Sequence, residues 1–378
     1  MALTGSVPER AAVSEAPLRG LGMVHEAGPY RVFTEGDALY RAMLADIGQA
    51  QVRVVLESYI FKEDSVGQAF IAALRERAGK GVRVVLRLDA FGAGGAVSAA
   101  TIEALRRSGV DVAWSRRWRW RRPWLYHRRN HRKLLLVDDR AAYLGGFNIC
   151  AENSLAAFGA NRWRDTHIRL PSPFVAEALA AFEDFHEGRH RWQPAGKTSS
   201  YVMANYGRAC RYRWRCLLHS RFRMARRRIW LTSPYFVPDR RTQERLKNAA
   251  RRGVEVKLLV PGKSDVALTQ WAARASYAGL IAAGVKIYEY QDRVLHAKTM
   301  LIDDDWSTIG TSNMDYRSFF HNFELNFISD SPQLNQVLGQ IFRADLGASR
   351  QILEAVWSKR PLMAKLAEFV GWMARRWL

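Results

Sequence analysis

The sequence predicts an α/β fold built from two copies of one unit. Three stretches of the first half of the chain have a counterpart in the second half: 53–64 with 228–239, 80–86 with 252–258, and 105–112 with 280–287. The first pair joins an apolar run to aromatic residues and a closing aspartate, and the other two join the end of a helical pattern to a glycine turn and a strand-like run. Because strands alternate with helices in both copies, we expect a β-α-β-α-β unit in each, with a parallel or mixed sheet covered by helices.

The repeat divides the chain into four segments. We assign residues 1–29 to an N-terminal extension, 30–195 to the first half, 200–355 to the second half and 356–378 to a C-terminal amphipathic helix. The turn-rich stretch 193–200 is the expected junction between the halves. Neither a run of about 18 apolar residues nor an apolar stretch near the N-terminus occurs in the sequence. We therefore expect no membrane-spanning helix and no secretory signal.

The composition indicates a polyanionic partner. The chain has 58 Lys and Arg against 36 Asp and Glu, a net charge of +22, and 47 of the 58 cations are arginine. Guanidinium groups favour bidentate contacts with phosphate, so nucleic acid and an anionic membrane surface are both candidate partners. Cys150, Cys210 and Cys216 are too few and too scattered for a disulfide framework or a thiolate metal site. We expect them to be reduced, as in a cytoplasmic protein.

The motif His-x-Lys-x4-Asp occurs once in each copy. Its residues are His131, Lys133 and Asp138 in the first copy and His296, Lys298 and Asp303 in the second. A glycine follows each histidine by fourteen residues and an asparagine by seventeen: Gly145 and Asn148, and Gly310 and Asn313. One match is weak evidence, but two with the same offsets, inside a repeat found independently, do not arise by chance.

Strand geometry explains the spacing of this motif. Residues i and i+2 of a strand share a face, so the histidine and the lysine of each copy can meet one phosphate. Each aspartate lies an odd number of residues from its histidine and points elsewhere on an uninterrupted strand. We include Asp138 and Asp303 in the catalytic set in a supporting and orienting role. The two asparagines could contact the substrate or stabilise a turn.

This sequence resembles the phospholipase D superfamily, whose hallmark is the motif present twice, and the resemblance covers residues 30–355. It implies two pseudo-twofold-related halves, each a mixed sheet flanked by helices, that share one active site at their interface. One histidine would attack phosphorus and form a phosphohistidine, while the other protonates the leaving alkoxide and then deprotonates the acceptor. By the family's usual assignment His131 is the nucleophile. The lysines and asparagines would stabilise the phosphoryl charge, without a metal or other cofactor.

Two carboxylates are candidates for orienting the histidines. The second copy contains Asn322-x-Glu324, and in the superfamily an acidic residue at this place binds the second nitrogen of a catalytic histidine. In the first copy, Asp165 in the stretch 163–169 falls opposite Glu324 if six residues are inserted. A plain ion-pair role is the alternative for Asp165 and Glu324.

Four further stretches, 144–149, 163–167, 232–239 and 261–265, are similar to bacterial cardiolipin synthases. This resemblance implies transfer of a phosphatidyl group from one phosphatidylglycerol to another, with release of glycerol. The resemblance is to the shorter subtype without N-terminal transmembrane helices, which implies a peripheral protein on the cytoplasmic face of the bacterial inner membrane. The acceptor stays open, and a hydrolytic phospholipase D or a nuclease of the superfamily is the runner-up, because the motif does not decide whether water or an alcohol resolves the intermediate.

A basic and aromatic loop precedes the first catalytic histidine. It has fifteen residues, 116–130, where the second copy has five, 291–295. Its candidate surface-binding residues are Arg116, Arg117, Trp118, Arg119, Trp120, Arg121, Arg122, Trp124 and Tyr126. Interleaved aromatic and arginine side chains are typical of a bilayer interface, although the same composition could stack on nucleic-acid bases.

The C-terminal segment has an apolar stripe at helical spacing from Pro361, with Trp372 and Trp377 as candidate membrane residues. Such a stripe could pack on the core or lie in a membrane interface. We expect an anionic phospholipid, phosphatidylglycerol, and the membrane surface as partners. Nucleic acid stays an alternative, and the sequence assigns no oligomeric state.

Overall fold

Two eight-stranded sheets, one from each half of the chain, form the framework of the protein. The structure is a computed structural model that describes residues 24–117, 120–121, 126–189, 199–264 and 266–377. The elements of the first half are β1 (Val24–Ala27), β2 (Tyr30–Phe33), α1 (Gly36–Gly48), β3 (Arg53–Ser58), α2 (Ser65–Gly79), β4 (Arg83–Asp89), α3 (Ala99–Arg107), β5 (Asp111–Ser115), β6 (Leu134–Val137), β7 (Ala141–Gly145), α4 (Leu155–Phe158), β8 (His167–Leu170) and α5 (Ser172–His186).

The second half repeats this order of elements and continues into two short C-terminal helices. Its elements are β9 (Tyr201–Asn205), α6 (Arg208–Met224), β10 (Arg228–Thr232), β11 (Phe236–Val237), α7 (Arg240–Arg251), β12 (Glu255–Pro261), α8 (Ala267–Arg274), α9 (Tyr277–Ile281), β13 (Lys286–Tyr290), β14 (Thr299–Ile302), β15 (Trp306–Gly310), β16 (Met314–Asp315), α10 (Tyr316–Phe320), β17 (Glu324–Ser329), α11 (Pro332–Gly347), β18 (Ser349–Ile352), α12 (Glu354–Ser358) and α13 (Leu362–Ala374).

Seven strands follow the same order in the two sheets, from β2 to β5 in the first and from β9 to β13 in the second, while the eighth strand, β1 or β18, is added at opposite edges. The first sheet has the order β1-β2-β8-β7-β6-β3-β4-β5 and the second β18-β13-β12-β10-β14-β15-β17-β9. In each, three parallel strands, β3-β4-β5 and β10-β12-β13, continue into three antiparallel ones, β6-β7-β8 and β14-β15-β17. The predicted α/β fold, with two matching mixed sheets, is confirmed.

The structure adds detail at the segment boundaries drawn from the sequence. β1 lies inside the predicted N-terminal extension, yet it is the edge strand of the first sheet and pairs antiparallel with β2. β9 opens the second half and pairs antiparallel with β17, as β2 does with β8. Residues 1–23 and 190–198, which include most of the predicted junction, lie outside the described residues.

The two sheets pack against each other through a shared apolar core. Leu134 and Leu136 of β6 belong to a cluster that also contains Leu231 and Phe327 of the second half. Leu135, between them, points to the other side, where the first sheet packs on its own helices. This alternation buries β6 on both faces, as its continuous apolar sequence requires, and fixes the end of the strand next to His131 at the interface between the halves.

The closing aspartates of the sequence repeat begin two equivalent helices. Asp64 Oδ1 accepts hydrogen bonds from the backbone amides of Val66 and Gly67, both at 3.0 Å, at the start of α2. Asp239 Oδ1 accepts one from Thr242 at 2.8 Å at the start of α7. An aspartate at this position satisfies amides that have no partner within the helix. The repeat in the sequence therefore includes the N-terminal cap of the helix that follows β3 or β10.

Each motif aspartate joins two neighbouring strands of its own sheet, at the end of the motif strand that lies away from the histidine. Both Asp138 and Asp303 have left-handed backbone conformations, with φ of 50° and 52°. Asp138 accepts from the amides of Gln51, Val52 and Arg53. Asp303 accepts from the equivalent amides of 226–228 in the second half. Each carboxylate thus ties the end of a motif strand to the start of the neighbouring strand, β3 or β10.

The C-terminal helix α13 packs against α8 with its apolar side turned outward. A Cβ atom at Gly371 would lie 2.3 Å from the backbone nitrogen of Ala272, so the two helices cross at close range. The other buried residue of α13 is Glu368, which forms a two-pronged ion pair with Arg360. The exposed apolar residues here are Leu362, Met363, Leu366, Phe369, Val370, Trp372, Met373 and Trp377. Among the described residues, no helix is both long and apolar enough to cross a membrane.

The supporting role of the motif aspartates predicts a change in stability without a change in chemistry. Replacement Asp303→Ala leaves three backbone amides without their acceptor, which costs about 1–2 kcal/mol where water partly compensates. We expect a lower midpoint of urea unfolding and an unchanged turnover rate per folded molecule. Asp305→Ala, two residues further on and exposed, is the matched control. A fully stable Asp303→Ala protein without activity would place this carboxylate in the chemistry instead.

Candidate active site

The two motif histidines meet where the halves join. The backbone amide of His131 donates to the carbonyl of Phe323 at 3.0 Å, and the amide of His296 donates to that of Arg164 at 2.7 Å. Isolated parallel bridges, Asn130 with Phe323 and Arg164 with Leu295, lie beside these bonds. The backbone of each half therefore forms hydrogen bonds with the segment that carries the histidine of the other half. Both imidazoles are buried.

Each histidine binds the carboxylate of the opposite half. His131 Nδ1 lies 3.0 Å from Glu324 Oε2, and His296 Nδ1 lies 2.5 Å from Asp165 Oδ2. Both acidic residues singled out in the sequence thus lie next to a motif histidine. In each case the carboxylate comes from the half that does not contain the histidine. A carboxylate on Nδ1 holds the ring and leaves Nε2 for the substrate.

Different neighbours support the two carboxylates. Glu324 accepts hydrogen bonds from the hydroxyls of Thr311 at 2.6 Å and Ser318 at 2.8 Å. Asp165 accepts from the backbone amide of Thr166 at 2.7 Å. Gly146 occupies the repeat position of Thr311, and a Cβ atom there would lie 2.0 Å from Asp165 Oδ1. The first half therefore needs a glycine where the second half uses a hydroxyl.

The motif lysines gather two cations in the buried site. Lys133 Nζ donates to the carbonyl of His131 at 2.9 Å, and Lys298 Nζ lies 2.9 Å from His296 Nδ1 and donates to the carbonyl of His296. Burial, together with the positive charge of Lys298, lowers the pKa of Lys133 to about 7. Two buried lysines that lower each other's stability in the charged form are stabilised by an anion, so the site suits a phosphate.

The two histidine–carboxylate pairs are electrostatically different. Burial lowers the pKa of His131 well below its usual range, and the charges of Lys133 and Lys298 act in the same direction. Burial also raises the pKa of Glu324 to about 7. For Asp165 burial opposes ionisation, but the charges of Lys298 and His296 hold its pKa below its usual range. Burial and Lys298 lower the pKa of His296 as well, while Asp165 opposes them.

The two asparagines differ in their side-chain contacts. Asn148 Oδ1 accepts a hydrogen bond from the amide of Ile60 at 3.1 Å, which supports a turn. Asn313 Oδ1 is buried and has no hydrogen-bond partner among the described residues. Its backbone amide donates to Ser318 Oγ at 3.1 Å. In physical terms, the Asn313 side chain is the one left with unused hydrogen-bonding capacity.

Aromatic rings that the sequence reasoning missed line both imidazoles. The ring of Tyr59 lies edge-on to His131 with centroids 4.9 Å apart, and the ring of Trp163 lies 5.3 Å from His296. Tyr235 also faces His296, at 6.5 Å. Tyr59 and Tyr235 belong to the aromatic residues of the first repeated stretch, so the repeat could have indicated that these rings lie near the site. Asp138 and Asp303 contribute no side-chain contact to these imidazoles.

The basic loop lies partly within the described residues. Trp118, Arg119, Arg122 and Trp124 lie outside them. Arg116 and Arg129 place their guanidinium groups over the rings of Phe323 and Tyr126, at 4.5 and 3.6 Å from the ring centres. The Arg117 guanidinium lies over Trp114, and the Arg121 guanidinium lies over Trp120, which is 75% exposed. The described part of the loop therefore presents alternating cations and aromatic rings.

Within the described part of the chain, no group of three or more His, Cys, Asp or Glu side chains has the arrangement of a metal site. The arrangement offers two imidazoles held through Nδ1, two lysines and an asparagine side chain. Such a set can transfer a phosphoryl-type group between two alcohols through a histidine.

Comparison with known proteins agrees with this arrangement. The family described as "Cardiolipin synthase, PLD-like domain" matches residues 43–180 and 218–346. Cardiolipin synthase 1 of Staphylococcus aureus (strain MRSA252) is 33% identical over 367 residues, which cover 92% of this chain and 73% of that protein. Cardiolipin synthase 1 of Staphylococcus epidermidis (strain ATCC 35984) is 33% identical over 359 residues, or 89% and 71% of the two chains.

Solved structures share the fold at low sequence identity. Phosphatidylserine synthase from Haemophilus influenzae Rd KW20 matches with a TM-score of 0.73 at 11% identity, over 94% of this chain and 97% of that one. Polyphosphate kinase from Porphyromonas gingivalis matches with a TM-score of 0.60 at 17% identity, over 88% and 50%. The fold and the paired motif define a phosphatidyltransferase of the phospholipase D superfamily. Within that superfamily, the chain belongs to the cardiolipin synthase family.

The glycine beside Asp165 gives a sharp test of this site. In Gly146→Ala, the new methyl group displaces the Asp165 carboxylate and with it the ring of His296. A misplacement of about 1 Å costs on the order of a hundredfold in turnover, so we expect at least that loss in phosphatidyl transfer. Gly79→Ala, at the end of α2 where a Cβ meets open space, is the matched control. Equal activity of the two variants would show that the position of Asp165 does not matter.

Proposed function

We propose that this protein transfers a phosphatidyl group from one phosphatidylglycerol to the terminal hydroxyl of a second, releasing glycerol, through a phosphohistidine. The observation that carries the proposal is the pair of buried histidines, each bound through Nδ1 to a carboxylate of the other half. Both Nε2 atoms are then available at one site, as a nucleophile and a proton carrier need.

His131 is the nucleophile in this proposal. Its Nδ1 lies 3.2 Å from the carbonyl oxygen of Thr311, which can only accept a hydrogen bond. Nδ1 therefore carries the hydrogen and Nε2 carries the lone pair. The low pKa of His131, caused by burial and the neighbouring lysines, keeps the ring neutral before attack. Nε2 attacks phosphorus, and the bond from phosphorus to the oxygen of the departing glycerol breaks.

His296 moves the proton in both steps. Its Nδ1 hydrogen bond to Asp165, a carboxylate that stays ionised, stabilises the imidazolium form. Burial and the charge of Lys298 disfavour that form and lower the pKa of His296, and the negative charge of the bound lipid phosphate offsets both effects. The imidazolium gives its Nε2 proton to the leaving glycerol oxygen. It then takes a proton from the hydroxyl of the second phosphatidylglycerol, whose oxygen attacks the phosphohistidine and releases neutral His131.

Lys133, Lys298 and Asn313 surround the transferred group. A phosphate between the lysines relieves their repulsion and restores the proton that Lys133 holds weakly in the empty site. As the pentavalent group forms, its equatorial oxygens gain charge and draw closer to the ammonium groups. Asn313, with its amide oxygen free among the described contacts, can turn its NH2 group towards the same oxygens.

The chemistry is tested by following lipids and protein together. We expect purified protein and phosphatidylglycerol vesicles to yield cardiolipin and glycerol in equal amounts. His131→Ala and His296→Ala should each lower turnover about a thousandfold or more. With phosphatidyl-p-nitrophenol, whose leaving group needs no proton, His296→Ala should still release one equivalent of nitrophenolate and become acid-labile phosphoprotein, whereas His131→Ala should not.

Other outcomes of this experiment contradict the proposal in distinct ways. Phosphatidic acid as the main product indicates hydrolysis. Nicked plasmid DNA with unaltered lipid indicates a nuclease. A covalent label on His296 reverses the roles of the two histidines.

We further propose that the protein lies on the anionic cytoplasmic face of the inner membrane. The net charge of +22 favours a surface with negative potential, as that leaflet has. The outward apolar side of α13 is larger than isolated surface residues need, and arginines follow it at 375 and 376. A helix that keeps Glu368 inside and Phe369 outside has the polarity expected of an interfacial helix.

The exposed side of α13 is continuous with the basic loop. Arg317 donates to the carbonyl of His127 in the loop at 2.7 Å and to the carbonyl of Trp377 after α13 at 3.3 Å. Trp120 and Trp377 are both largely exposed, at 75% and 82%. The two candidate membrane segments therefore meet at one place, beside the strand segment that leads to His131.

Membrane docking through α13 predicts a selective loss of vesicle binding. Replacing a large apolar side chain that inserts into lipid forfeits about 1.5–3 kcal/mol, which lowers the affinity per site by a factor of roughly ten to a hundred. Phe369→Ser and Trp377→Ser should each weaken binding to phosphatidylglycerol vesicles by this amount and leave turnover of soluble dihexanoyl-phosphatidylglycerol unchanged. Val52→Ser, also exposed but at the far end of β3, is the control. Unaltered vesicle binding in both α13 variants would exclude this docking surface.

A further inference from the structure

A second basic site lies beside the active site, in a cleft of about 710 Å³. One wall is the beginning of α6, and the others come from the basic loop and α10. Five arginines line it: Arg116, Arg128, Arg208, Arg211 and Arg215. None of the described residues lining the cleft is acidic. A cavity with this lining has the charge of an anion-binding site.

Arg211 is the most informative of these arginines. Its side chain is 8% exposed, and one NH2 group donates to the carbonyl of His321 at 3.0 Å. Its Nε and that of Arg128 are buried without a hydrogen-bond partner among the described residues. Burial, together with the charges of Arg128 and Arg116, lowers the pKa of Arg211 to about 10. Guanidinium groups gathered in this way repel one another and attract an anion such as a phosphate.

The start of α6 adds to the positive potential. The helix is 17 residues long, begins at Arg208 and has Gly207 as its N-cap, which offers no side chain to its first amides. No acidic residue occurs in its first turn. Uncapped amides and the helix dipole favour an anion at this end. The helix end and the arginine cluster are independent features that face the same cleft.

Aromatic side chains make the cleft suitable for a lipid as well as an ion. The guanidinium groups of Arg116 and Arg211 lie 4.5 and 5.5 Å from the ring centre of Phe323. Phe319 and Phe320 of α10 also line the cleft. These rings provide apolar contact for the carbon skeleton attached to a phosphate, which inorganic phosphate lacks.

The cleft adjoins both the catalytic histidine and the docking surface. Phe323 lines the cleft and precedes Glu324 in the sequence, and its carbonyl accepts a hydrogen bond from the backbone amide of His131 at 3.0 Å. α10 also contains Arg317, which bonds to the loop and to the end of α13. A phospholipid on the docking surface could therefore place its headgroup phosphate in the cleft.

We propose that the cleft between α6, α10 and the basic loop binds the phosphodiester of a second anionic phospholipid, separate from the phosphate that reacts at His131. The inference rests on the proposed transfer between two phosphatidylglycerol molecules. In that reaction the acceptor keeps its own phosphate while its hydroxyl reacts. The cleft holds that phosphate and limits where the acceptor can sit.

The test counts bound lipid without turnover. In a His131→Ala background, calorimetry with dihexanoyl-phosphatidylglycerol should detect two equivalents per full-length chain. Adding Arg211→Gln removes a charge-assisted contact and should weaken the second equivalent about tenfold or more. Arg128→Gln, from the other wall, should do the same, and Arg211→Lys should restore part of the affinity. Arg213→Gln, exposed on α6 and outside the cleft lining, is the matched control.

Three results would overturn the inference. Arg211→Gln and Arg128→Gln could bind two equivalents with the affinity of Arg213→Gln. The parent could bind a single equivalent. Inorganic phosphate could fill the second site as tightly as the lipid does, which would assign the cleft to free phosphate. Failure of the proposed function is separate, since it would show as an absence of cardiolipin from the otherwise unmodified protein.

With His131 restored, the same variants report on catalysis. The KM for phosphatidylglycerol should rise about tenfold in Arg211→Gln and Arg128→Gln, while kcat at saturating lipid stays near that of Arg213→Gln. Formation of the phosphohistidine from phosphatidyl-p-nitrophenol should be unaffected, because that step needs only the donor. An equal loss in phosphohistidine formation would place these arginines at the donor site and refute the assignment.

Discussion

The exchange of carboxylates between the halves is the constraint on which the site depends. His131 is complete only with Glu324, and His296 only with Asp165, so neither half contains an oriented histidine by itself. The same segments carry the interface. Arg164, beside Asp165, forms a buried two-pronged ion pair with Asp345 of α11, at 2.9 and 2.7 Å. Breaking a buried pair of this kind leaves an uncompensated charge, which makes the relative position of the halves costly to change. The packing of the two sheets therefore also determines the positions of the two imidazoles.

A symmetric scaffold here supports unequal chemical groups. The orders of the seven equivalent strands match, yet Gly146 faces Asp165 where Thr311 faces Glu324. The shorter carboxylate, beside Lys298, stays ionised, and the longer one, held by hydroxyls, has its pKa raised to about 7 by burial. These local differences thus give the two carboxylates pKa values shifted in opposite directions. In the proposed transfer one ring must start neutral and the other protonated, and the ionised Asp165 favours the protonated role for His296.

Most of the fold could be predicted from the sequence, and so could the identity of the motif residues, but not which carboxylate binds which histidine. The repeat, the strand alternation and the paired motif are local patterns, so they were readable along the chain. The partner of each carboxylate was not, because it depends on how two sheets face each other and not on spacing. For α13, hydrophobic periodicity identifies an apolar side but not where it points. Gly371 helps to decide that, since α13 approaches the backbone of α8 closely at a position without a side chain.

The charge distribution agrees with the proposed transfer between two lipids at one site. A site with full twofold symmetry would offer donor and acceptor the same contacts, although the donor must surrender its headgroup and the acceptor must keep it. The loop of fifteen residues before His131, against five before His296, breaks that symmetry on one side only. It brings Arg116 and Arg128 towards Arg211 and the uncapped start of α6, and through Arg317 it meets the exposed end of α13. Positive charge is thereby concentrated on one side of the site, where the proposed acceptor would have to keep its phosphate intact.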